Sequence, residues 1–403
     1  MSERRILSIR LSDSFQRFFS DARAGSIILV VCTAISLCLA NSSLGEGYIQ
    51  FWRQSLGPLS LELWINDGLM AVFFLLVGLE LQRELLEGEL SSVKRALLPM
   101  FAALGGVAVP ALIHLGFNYG TTTQSGMGIP VATDIAFAIG ALSLLGNRVP
   151  ASLKVFLTAL AVIDDLAAIV VIAFFYSGIT NALFLFGALA VLVLLYILRR
   201  KGVASLAVFL TLGFAMWILM LKSGVHATIA GVLLGLLIPL RAKTGKSPAE
   251  FLEHLLNKPV HFFVLPLFAL GNTAISMHGS FVSELISSNG MGIFFGLLVG
   301  KPIGIVLASF LVISLGVCRL PADVSMRHIV GAGMLGGIGF TMAIFISNLA
   351  FDTGSHYIDG SKLAIMTASL GAATLGLLWL SIFGRPHHDD SDLDTMEVVA
   401  DQL

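Results

Sequence analysis

Two adjacent aspartates, Asp164 and Asp165, lie near the middle of a long apolar segment. Residues 155–176 contain no other charged side chain. A helix of this length can cross a bilayer, which takes about 20 residues. A charged side chain at the bilayer centre costs about 2.5–3.5 kcal/mol on insertion scales, and repulsion between neighbouring carboxylates favours their proton-bearing form. The pair therefore indicates a site for a cation or for protons.

Two further ionisable residues fall inside apolar segments. Asp134 follows Thr133 in a segment interrupted by glycine and proline, and Lys301 stands between Gly300 and Pro302. Lys301 is too far from a segment end to extend its ammonium group to the interface. In a broken helix, Asp134 is suited to offset the positive N-terminal ends and Lys301 the negative C-terminal ends. Proton carriage is an equally good interpretation for Lys301, because buried lysines lose their proton readily.

These residue types suit the exchange of a cation for protons. Successive helical residues are about 100° apart, so one of Asp164 and Asp165 can bind a cation while the other reaches Lys301. Carboxylate and hydroxyl oxygens are ligands for a small hard cation, and Thr133 adds a hydroxyl. Carboxylates removed from water hold protons until a cation displaces them. Such competition at a site exposed alternately to two sides is antiport, driven by the membrane potential and the proton gradient. No cofactor is expected.

The composition is that of a polytopic membrane protein. Of 403 residues, 56% are hydrophobic and 12% charged, whereas a soluble domain has about 25% charged residues. The net charge of −1 gives no indication of a nucleic-acid partner, and the lipid bilayer is the expected surrounding. Cys32, Cys38 and Cys318 show neither zinc-ligand spacing nor a disulfide framework.

Hydropathy predicts an all-α integral membrane protein with twelve transmembrane helices, each near the required length. The predicted spans are residues 24–41, 62–86, 96–118, 122–146, 151–176, 182–199, 204–221, 224–240, 259–277, 291–317, 327–351 and 361–384. Lysine and arginine cluster in the N-terminal tail and in alternate loops, and the opposite side has only Arg53, Lys222 and Lys362. Both termini are therefore predicted to be cytoplasmic. Residues 1–385 form one transmembrane domain, and residues 386–403 an acidic tail that is predicted to be disordered.

The fourth and eleventh spans are predicted to be discontinuous. Residues 126–130 (Gly-Met-Gly-Ile-Pro) and then Thr133 and Asp134 interrupt the fourth, and five glycines between positions 331 and 339 precede Phe340 in the eleventh. Irregular backbone at membrane depth should line a cavity or be buried in protein, although clustered glycine is equally typical of close helix packing. Residues 133–137 (Thr-Asp-Ile-Ala-Phe) parallel residues 341–345 (Thr-Met-Ala-Ile-Phe). Such paired interruptions in two halves of a chain point to a transporter site.

The connection between the first two spans has two interpretations. Residues 48–63 are moderately apolar, with Gly57-Pro58 near the middle. They predict either an extracytoplasmic β-hairpin or a plain loop.

Six stretches together make the chain similar to a known family. They are residues 64–74, 132–138, 163–166, 221–228, 300–302 and 337–342, which run in the family's order over about residues 20–385. By these stretches the chain resembles the NhaA-type sodium/proton antiporters of bacterial inner membranes.

The resemblance implies an electrogenic exchange of Na⁺ or Li⁺ for a larger number of protons. Asp165 would be the main sodium ligand, and Asp164 would alternate between a proton and an ion pair with Lys301. Spans 3–5 and 10–12 would be inverted-topology repeats in which spans 4 and 11 cross. The resemblance also implies the bacterial inner membrane as location and a homodimer formed through residues 45–61.

A pH-sensing cluster at the cytoplasmic mouth is also implied by the resemblance. Its members are Glu80, Arg83, Glu84, Glu253 and His254, with His226 nearby. Histidine titrates near neutrality, but ordinary helix-end charge is an alternative explanation. The family has Leu-His-Pro after its Glu-His, where this chain has residues 255–259 (Leu-Leu-Asn-Lys-Pro), and usually a tryptophan in place of Met127. The first departure concerns the pH setting and not the exchange.

Three other functions fit less well. A proton- or sodium-coupled symporter of a small organic solute is the nearest alternative, but the polar groups near the aspartates are few and small. In a passive channel, buried paired carboxylates would hold a cation tightly and slow conduction. An intramembrane aspartyl protease is not expected because adjacent aspartates on one helix cannot flank one peptide bond, so the chain is predicted not to be an enzyme.

Overall fold

The computed structural model describes residues 13–178, 180–240, 247–277, 281–352 and 354–385. The predicted acidic tail, residues 386–403, and residues 1–12 of the charged N-terminal tail lie outside the described residues. The described part is almost entirely helical.

The helices follow one another with short connections. The α-helical segments are α1 Asp13–Ala40, α2 Gly45–Arg53, α3 Leu61–Leu63, α4 Met70–Leu86, α5 Val93–Asn118, α6 Ile135–Leu144, α7 Ala151–Val171, α8 Ala182–Arg200, α9 Leu206–Ser223, α10 Thr228–Leu237, α11 Pro248–Pro259, α12 Leu265–Asn272, α13 Phe281–Ile286, α14 Ser288–Phe295, α15 Lys301–Ser314, α16 Met326–Gly336, α17 Phe340–Ala350 and α18 His356–Phe383. Wider π-helical turns join α3 to α4 (Trp64–Leu69), extend α7 (Ile172–Tyr176), join α11 to α12 (Val260–Val264) and join α14 to α15 (Gly296–Gly300).

The lengths and hydropathy of these helices are those of a multi-pass membrane protein. Within the described ranges, nine helical segments are long and apolar enough to cross a membrane. Helices α16 and α17 together make a tenth, with a bend of 47° between them. The all-α membrane class predicted from hydropathy is thereby confirmed.

Two predicted spans have different bounds in the structure. The eighth, predicted at 224–240, contains only the ten-residue helix Thr228–Leu237. The ninth, predicted at 259–277, is not among the nine segments; the Val260–Val264 turn and α12 continue the preceding helix α11 without interruption, and α12 ends at Asn272. Helix α11 is polar and precedes the apolar segment, which is why hydropathy did not include it.

A small hairpin follows α2. Strands β1 (Ser55–Leu56) and β2 (Leu59–Ser60) pair antiparallel, and Gly57 between them has φ +69°, which glycine adopts at little cost. The hairpin is shorter than the predicted 48–63, because residues 48–52 belong to α2. Tyr48 and Trp52 pack edge to face there, with ring centroids 5.9 Å apart, which is an i, i+4 helical contact.

Two breaks in the helices lie side by side. Residues 132–134 are extended between the 3₁₀ helix Gln124–Val131 and α6, and residues 337–339 separate α16 from α17. The Asp134 N–H donates to the Ile338 carbonyl at 2.7 Å. Both interruptions are shorter than the positions of the glycines predicted. Residues 126–130 lie within the 3₁₀ helix, and Gly331, Gly333 and Gly336 lie within α16, where a Cβ on Gly331 would meet Leu380.

Helices α5 and α15 approach each other closely at two glycines. A Cβ added to Gly105 would collide with the Gly304 carbonyl, and a Cβ on Gly304 with the Gly105 carbonyl. Such backbone contact is typical of small residues between membrane helices. The contact lies one turn after Lys301 and so fixes the depth of its side chain against α5.

Candidate functional site

Asp164 and Lys301 form a fully buried ion pair. The Lys301 Nζ lies 2.9 Å from the Asp164 Oδ2, and both side chains are 0% exposed. Lys301 also donates to the carbonyl of Val131, which ends the 3₁₀ helix Gln124–Val131. The ammonium group therefore lies at the negative C-terminal end of that helix. Removing either partner would leave a buried charge uncompensated.

Thr133 connects this ion pair to the second break. Its Oγ1 lies 2.6 Å from the Asp164 Oδ2 and 2.9 Å from the carbonyl of Gly336, the last residue of α16. A threonine hydroxyl has one proton to donate. When Asp164 is ionised, the hydroxyl can donate to it, and the Gly336 carbonyl then lacks this donor. When Asp164 carries a proton, it can donate to Thr133, and Thr133 can donate to Gly336.

Asp165 is buried without such partners. Its side chain is 0% exposed, and neither carboxylate oxygen has a hydrogen-bond partner among the described residues. It lines a cavity of about 20 Å³ together with Glu80, Asp134, His261 and Met342. A cavity of this size holds about one water-sized species. An unpartnered buried carboxylate facing such a space can hold a proton or a small cation.

Asp134 caps two helices at once. Its Oδ1 accepts the Phe137 N–H at 3.0 Å, at the start of α6. Its Oδ2 accepts the Thr341 N–H at 3.1 Å and the Thr341 hydroxyl at 2.5 Å, at the start of α17. One buried carboxylate thus lies at the positive ends of the two half-helices that begin after the breaks.

Part of the predicted pH-sensing cluster assembles at one end of α4. The Arg83 Nε lies 3.0 Å from the Glu253 Oε1, and the Arg83 Nη2 lies 3.7 Å from the Glu84 Oε1. Burial raises the pKa of Glu253, and the positive charge of Arg83 offsets part of that rise. Glu80, one turn before Glu84, lines the cavity of Asp165. His254 is exposed beside Glu253.

The structure does not bring His226 to this cluster. The His226 Nε2 lies 2.8 Å from the carbonyl of Tyr176, beyond the end of α7. Helix α10 runs parallel to α4, because Gly231 packs on Ala71 while Gly235 packs on residues 75–79. His226 precedes α10 and therefore lies at the end of α4 opposite to Arg83. The family resemblance placed His226 near this cluster, whereas the direction of α10 places it at the other end of α4.

One ionisable residue that lines the cavity, His261, was not predicted from the sequence. His261 is 7% exposed and lies in the π-helical turn before α12, where its Nδ1 is 2.8 Å from the Asn257 carbonyl. It lines the same cavity as Asp165. The signal was available, because a histidine inside an apolar span is the same kind of exception as Lys301.

Comparison with known proteins identifies the family of this chain. The family described as "Na+/H+ antiporter 1" matches residues 16–380. A protein of Dechloromonas aromatica (strain RCB) named "Na(+)/H(+) antiporter NhaA" is 58% identical over 377 residues, which are 93% of this chain and 97% of the relative. A protein of the same name from Cytophaga hutchinsonii is 52% identical over 374 residues, 93% of this chain and 96% of the relative. One from Flavobacterium johnsoniae, "Na(+)/H(+) antiporter NhaA 1", is 51% identical over 92% of this chain and 97% of its own length.

The resemblance inferred from six short stretches is thereby confirmed over nearly the whole chain. This protein belongs to the Na⁺/H⁺ antiporter 1 family.

Proposed function

We propose that this protein exchanges Na⁺, and also Li⁺, for a larger number of protons across the bacterial inner membrane by alternating access. The observation that carries the proposal is Asp165, a fully buried carboxylate without a hydrogen-bond partner among the described residues, next to a carboxylate that has two. Protons and a sodium ion compete for such a group, because either one neutralises it. Na⁺ and H⁺ are the ions that the names of the relatives give.

The two aspartates would have different parts in the cycle. Sodium arriving in the cavity displaces the proton of Asp165 and is held by its carboxylate, with Asp164 as the second ligand. Asp164 releases Lys301 when it binds the cation or a proton, and pairs with it again when both have left. Each sodium ion would displace the proton of Asp165 and a second one carried by Asp164 or by Lys301. Because two protons are exchanged for one sodium ion, each cycle moves net charge and is driven by the membrane potential.

The helices interrupted by the breaks would be the part of the protein that moves during the cycle. Thr133, Asp134 and Lys301 compensate the ends of the half-helices, so that the breaks remain stable at membrane depth. We propose twelve transmembrane helices, with spans 3–5 and 10–12 as inverted repeats, spans 4 and 11 crossing at the breaks, and the remaining spans as a scaffold. The bond between Asp134 and the Ile338 carbonyl supports the crossing.

The orientation follows from the distribution of positive charge. Both termini are proposed to be cytoplasmic, so that the end of α4 with Arg83 faces the cytoplasm. The Arg83–Glu253 ion pair then stands at the cytoplasmic side of the cavity, where protonation of Glu80, Glu84, Glu253 or His254 would change the field at Asp165. This is the basis for proposing pH-dependent activity.

Reconstitution tests the exchange directly. Proteoliposomes with an imposed sodium gradient and an interior pH dye should show sodium-driven proton movement without any added solute, whereas a solute symporter would show none. Asp165→Asn should reduce this movement to the level of protein-free liposomes, because an amide cannot exchange a proton for a cation. Asp359→Asn, at an exposed position of α18, is the matched control. Undiminished exchange in Asp165→Asn would contradict the proposal.

A further inference from the structure

Three helices meet in two layers on one side of the small cavity that Asp165 lines, which we call the cation cavity. Each layer takes one residue from the α4 region, one from α12 and one from α17. We call these six residues the outer seam: Phe74, Phe268 and Phe345 form its aromatic layer, and Asn66, Asn272 and Asn348 form its amide layer.

The aromatic layer is completely buried. Phe74 is 1% exposed, and Phe268 and Phe345 are 0% exposed. The ring of Phe345 lies 5.3 Å from that of Phe74 and 6.5 Å from that of Phe268, measured between centroids. Both distances fall in the range of attractive aromatic contacts. Phe345 of α17 is thus enclosed by side chains of α4 and α12.

The amide layer is a chain of hydrogen bonds. The Asn348 Nδ2 donates to the Asn272 Oδ1 at 2.6 Å, and the Asn272 Nδ2 donates to the Asn66 Oδ1 at 2.8 Å and to the Phe268 carbonyl at 3.0 Å. Asn272 is 1% exposed and Asn66 is 9% exposed. Buried amides without partners are costly inside a membrane protein, so these bonds hold the three helices in one arrangement.

The layers are stacked in order of distance from the cation cavity. On α17, Thr341 bonds Asp134, and Phe345 and Asn348 follow at about 6 and 10 Å along the helix axis. On the α4 side, Glu80 lines the cavity, and Phe74 and Asn66 follow in the direction away from Arg83. The seam therefore closes the cavity on the side opposite to the Arg83–Glu253 ion pair.

The two bonds of the amide layer differ in what they connect. Asn348 belongs to α17, which is hydrogen-bonded to Asp134 through Thr341 and so is grouped with the segments that carry the aspartates. Asn66 and Asn272 belong to the α4 and α12 regions, which face the aspartates across the cavity. The Asn272–Asn348 bond crosses from one group to the other, and the Asn66–Asn272 bond lies within one.

We propose that the Asn272–Asn348 hydrogen bond, together with the enclosure of Phe345, is the latch that closes the outer side of the cation cavity and must open in every cycle. Asn66 is a positioning residue that holds the Asn272 amide toward Asn348. This inference rests on the proposed alternating access, and it adds which contact separates and which remains.

Reversible cross-linking distinguishes the two bonds. The parent protein for this test has its three cysteines, Cys32, Cys38 and Cys318, replaced by serine. Two double variants are made in it. The test variant has Asn272→Cys with Asn348→Cys, and the matched control has Asn66→Cys with Asn272→Cys. A short bifunctional thiosulfonate joins each pair, and a reductant releases it. Cross-linking across the latch should abolish sodium-driven proton movement, and the reductant should restore it. The control pair should keep the rate that it had before cross-linking.

Two results would overturn the latch. One is undiminished exchange with residues 272 and 348 cross-linked, and the other is equal loss of exchange in both pairs. Each variant is compared with itself before cross-linking, so a failure of the proposed antiport appears separately, as a lack of exchange in the unmodified parent protein.

Labelling from outside gives a readout that needs no transport. Met70 is 0% exposed and lies about one helical turn from both Asn66 and Phe74, and Met70→Cys in the same cysteine-free protein reports access to the seam. Adding Asn348→Ala removes the latch bond and should increase labelling by an impermeant thiol reagent from the outer side by about threefold, the effect of a typical hydrogen bond between membrane helices. Unchanged labelling would overturn the proposal.

Discussion

Asp164 and Asp165 are neighbours in sequence but differ in their surroundings. The helical turn of about 100° per residue directs Asp164 toward Lys301 and Thr133 and directs Asp165 into the cavity. One carboxylate is therefore compensated inside the protein, and the other depends on what enters the cavity. The division of labour proposed above follows from this difference.

The ion pair gives the first prediction at this scale. Removing one partner of a buried pair typically costs about 3–5 kcal/mol, whereas replacing both with uncharged groups can be nearly neutral. Asp164→Asn and Lys301→Met should each lower the thermal unfolding midpoint in detergent, and the double variant should regain most of the loss. Additive losses in the double variant would show that the two groups do not stabilise each other.

Glu253 gives a prediction about pH and stability. Because burial raises its pKa in the folded protein, the folded state binds more protons than the unfolded state between the ordinary and the raised pKa. The stability due to the protonated group is present at low pH and is lost as the pH rises through the raised pKa. The unfolding midpoint of the wild type should therefore fall relative to that of Glu253→Gln across this window.

The comparison requires constant sodium concentration, because bound cation would also stabilise the folded state. Glu46→Gln, at an exposed position of α2, is the matched control. A difference between wild type and Glu253→Gln that stays constant with pH would show that Glu253 is not buried in the way described.

At the scale of elements, the site depends on where helices stop. The breaks at 132–134 and 337–339 place four helix ends near the aspartates, and Asp134 and Lys301 lie at these ends. Much of this could be predicted, because a charged residue in an apolar run and a break before Thr-Asp are strong local signals. Asp164, Asp165 and Lys301 were predicted as site residues in that way.

Other features have no local signal. Asn66 and Asn272 are 206 residues apart, and Asn272 and Asn348 are 76 apart, so periodicity cannot indicate that they pair. Glycine also has two structural uses that look alike in sequence. Gly337 and Gly339 lie in a break, but Gly331 and Gly333 lie inside α16 and allow close packing. Only the tertiary neighbours distinguish these uses.

The close contact of α5 and α15 gives a prediction for an element. A methyl group at Gly304 would collide with the Gly105 carbonyl, and overpacking of this kind typically costs about 1–3 kcal/mol. Gly304→Ala should therefore lower the unfolding midpoint and slow exchange, because α15 also carries Lys301. Gly116→Ala on α5 is the control, since a Cβ there has nothing within 4 Å. Equal midpoints for both variants would show that the helices can separate without cost.

At the scale of the whole molecule, a single chain contains every part of the site. The aspartates, Lys301, both breaks and the outer seam all come from one copy. A homodimer through residues 45–61, as the family resemblance implies, would therefore support the protein in the membrane without completing the site.

The hairpin region allows this to be tested. Phe51 is 48% and Leu56 61% exposed, and both border an apolar groove of about 900 Å³ that also includes Trp64 and Trp217. If the chain forms the homodimer that the resemblance implies, Phe51→Ser with Leu56→Ser should shift it from dimer to monomer in light scattering at fixed detergent and protein concentration, because two apolar side chains of that interface are lost. Exchange per chain should stay unchanged. Leu315→Ser, 75% exposed after α15, is the control and should leave the dimer intact. A monomer without exchange would mean that the second copy takes part in transport, and a dimer that persists would place the interface elsewhere.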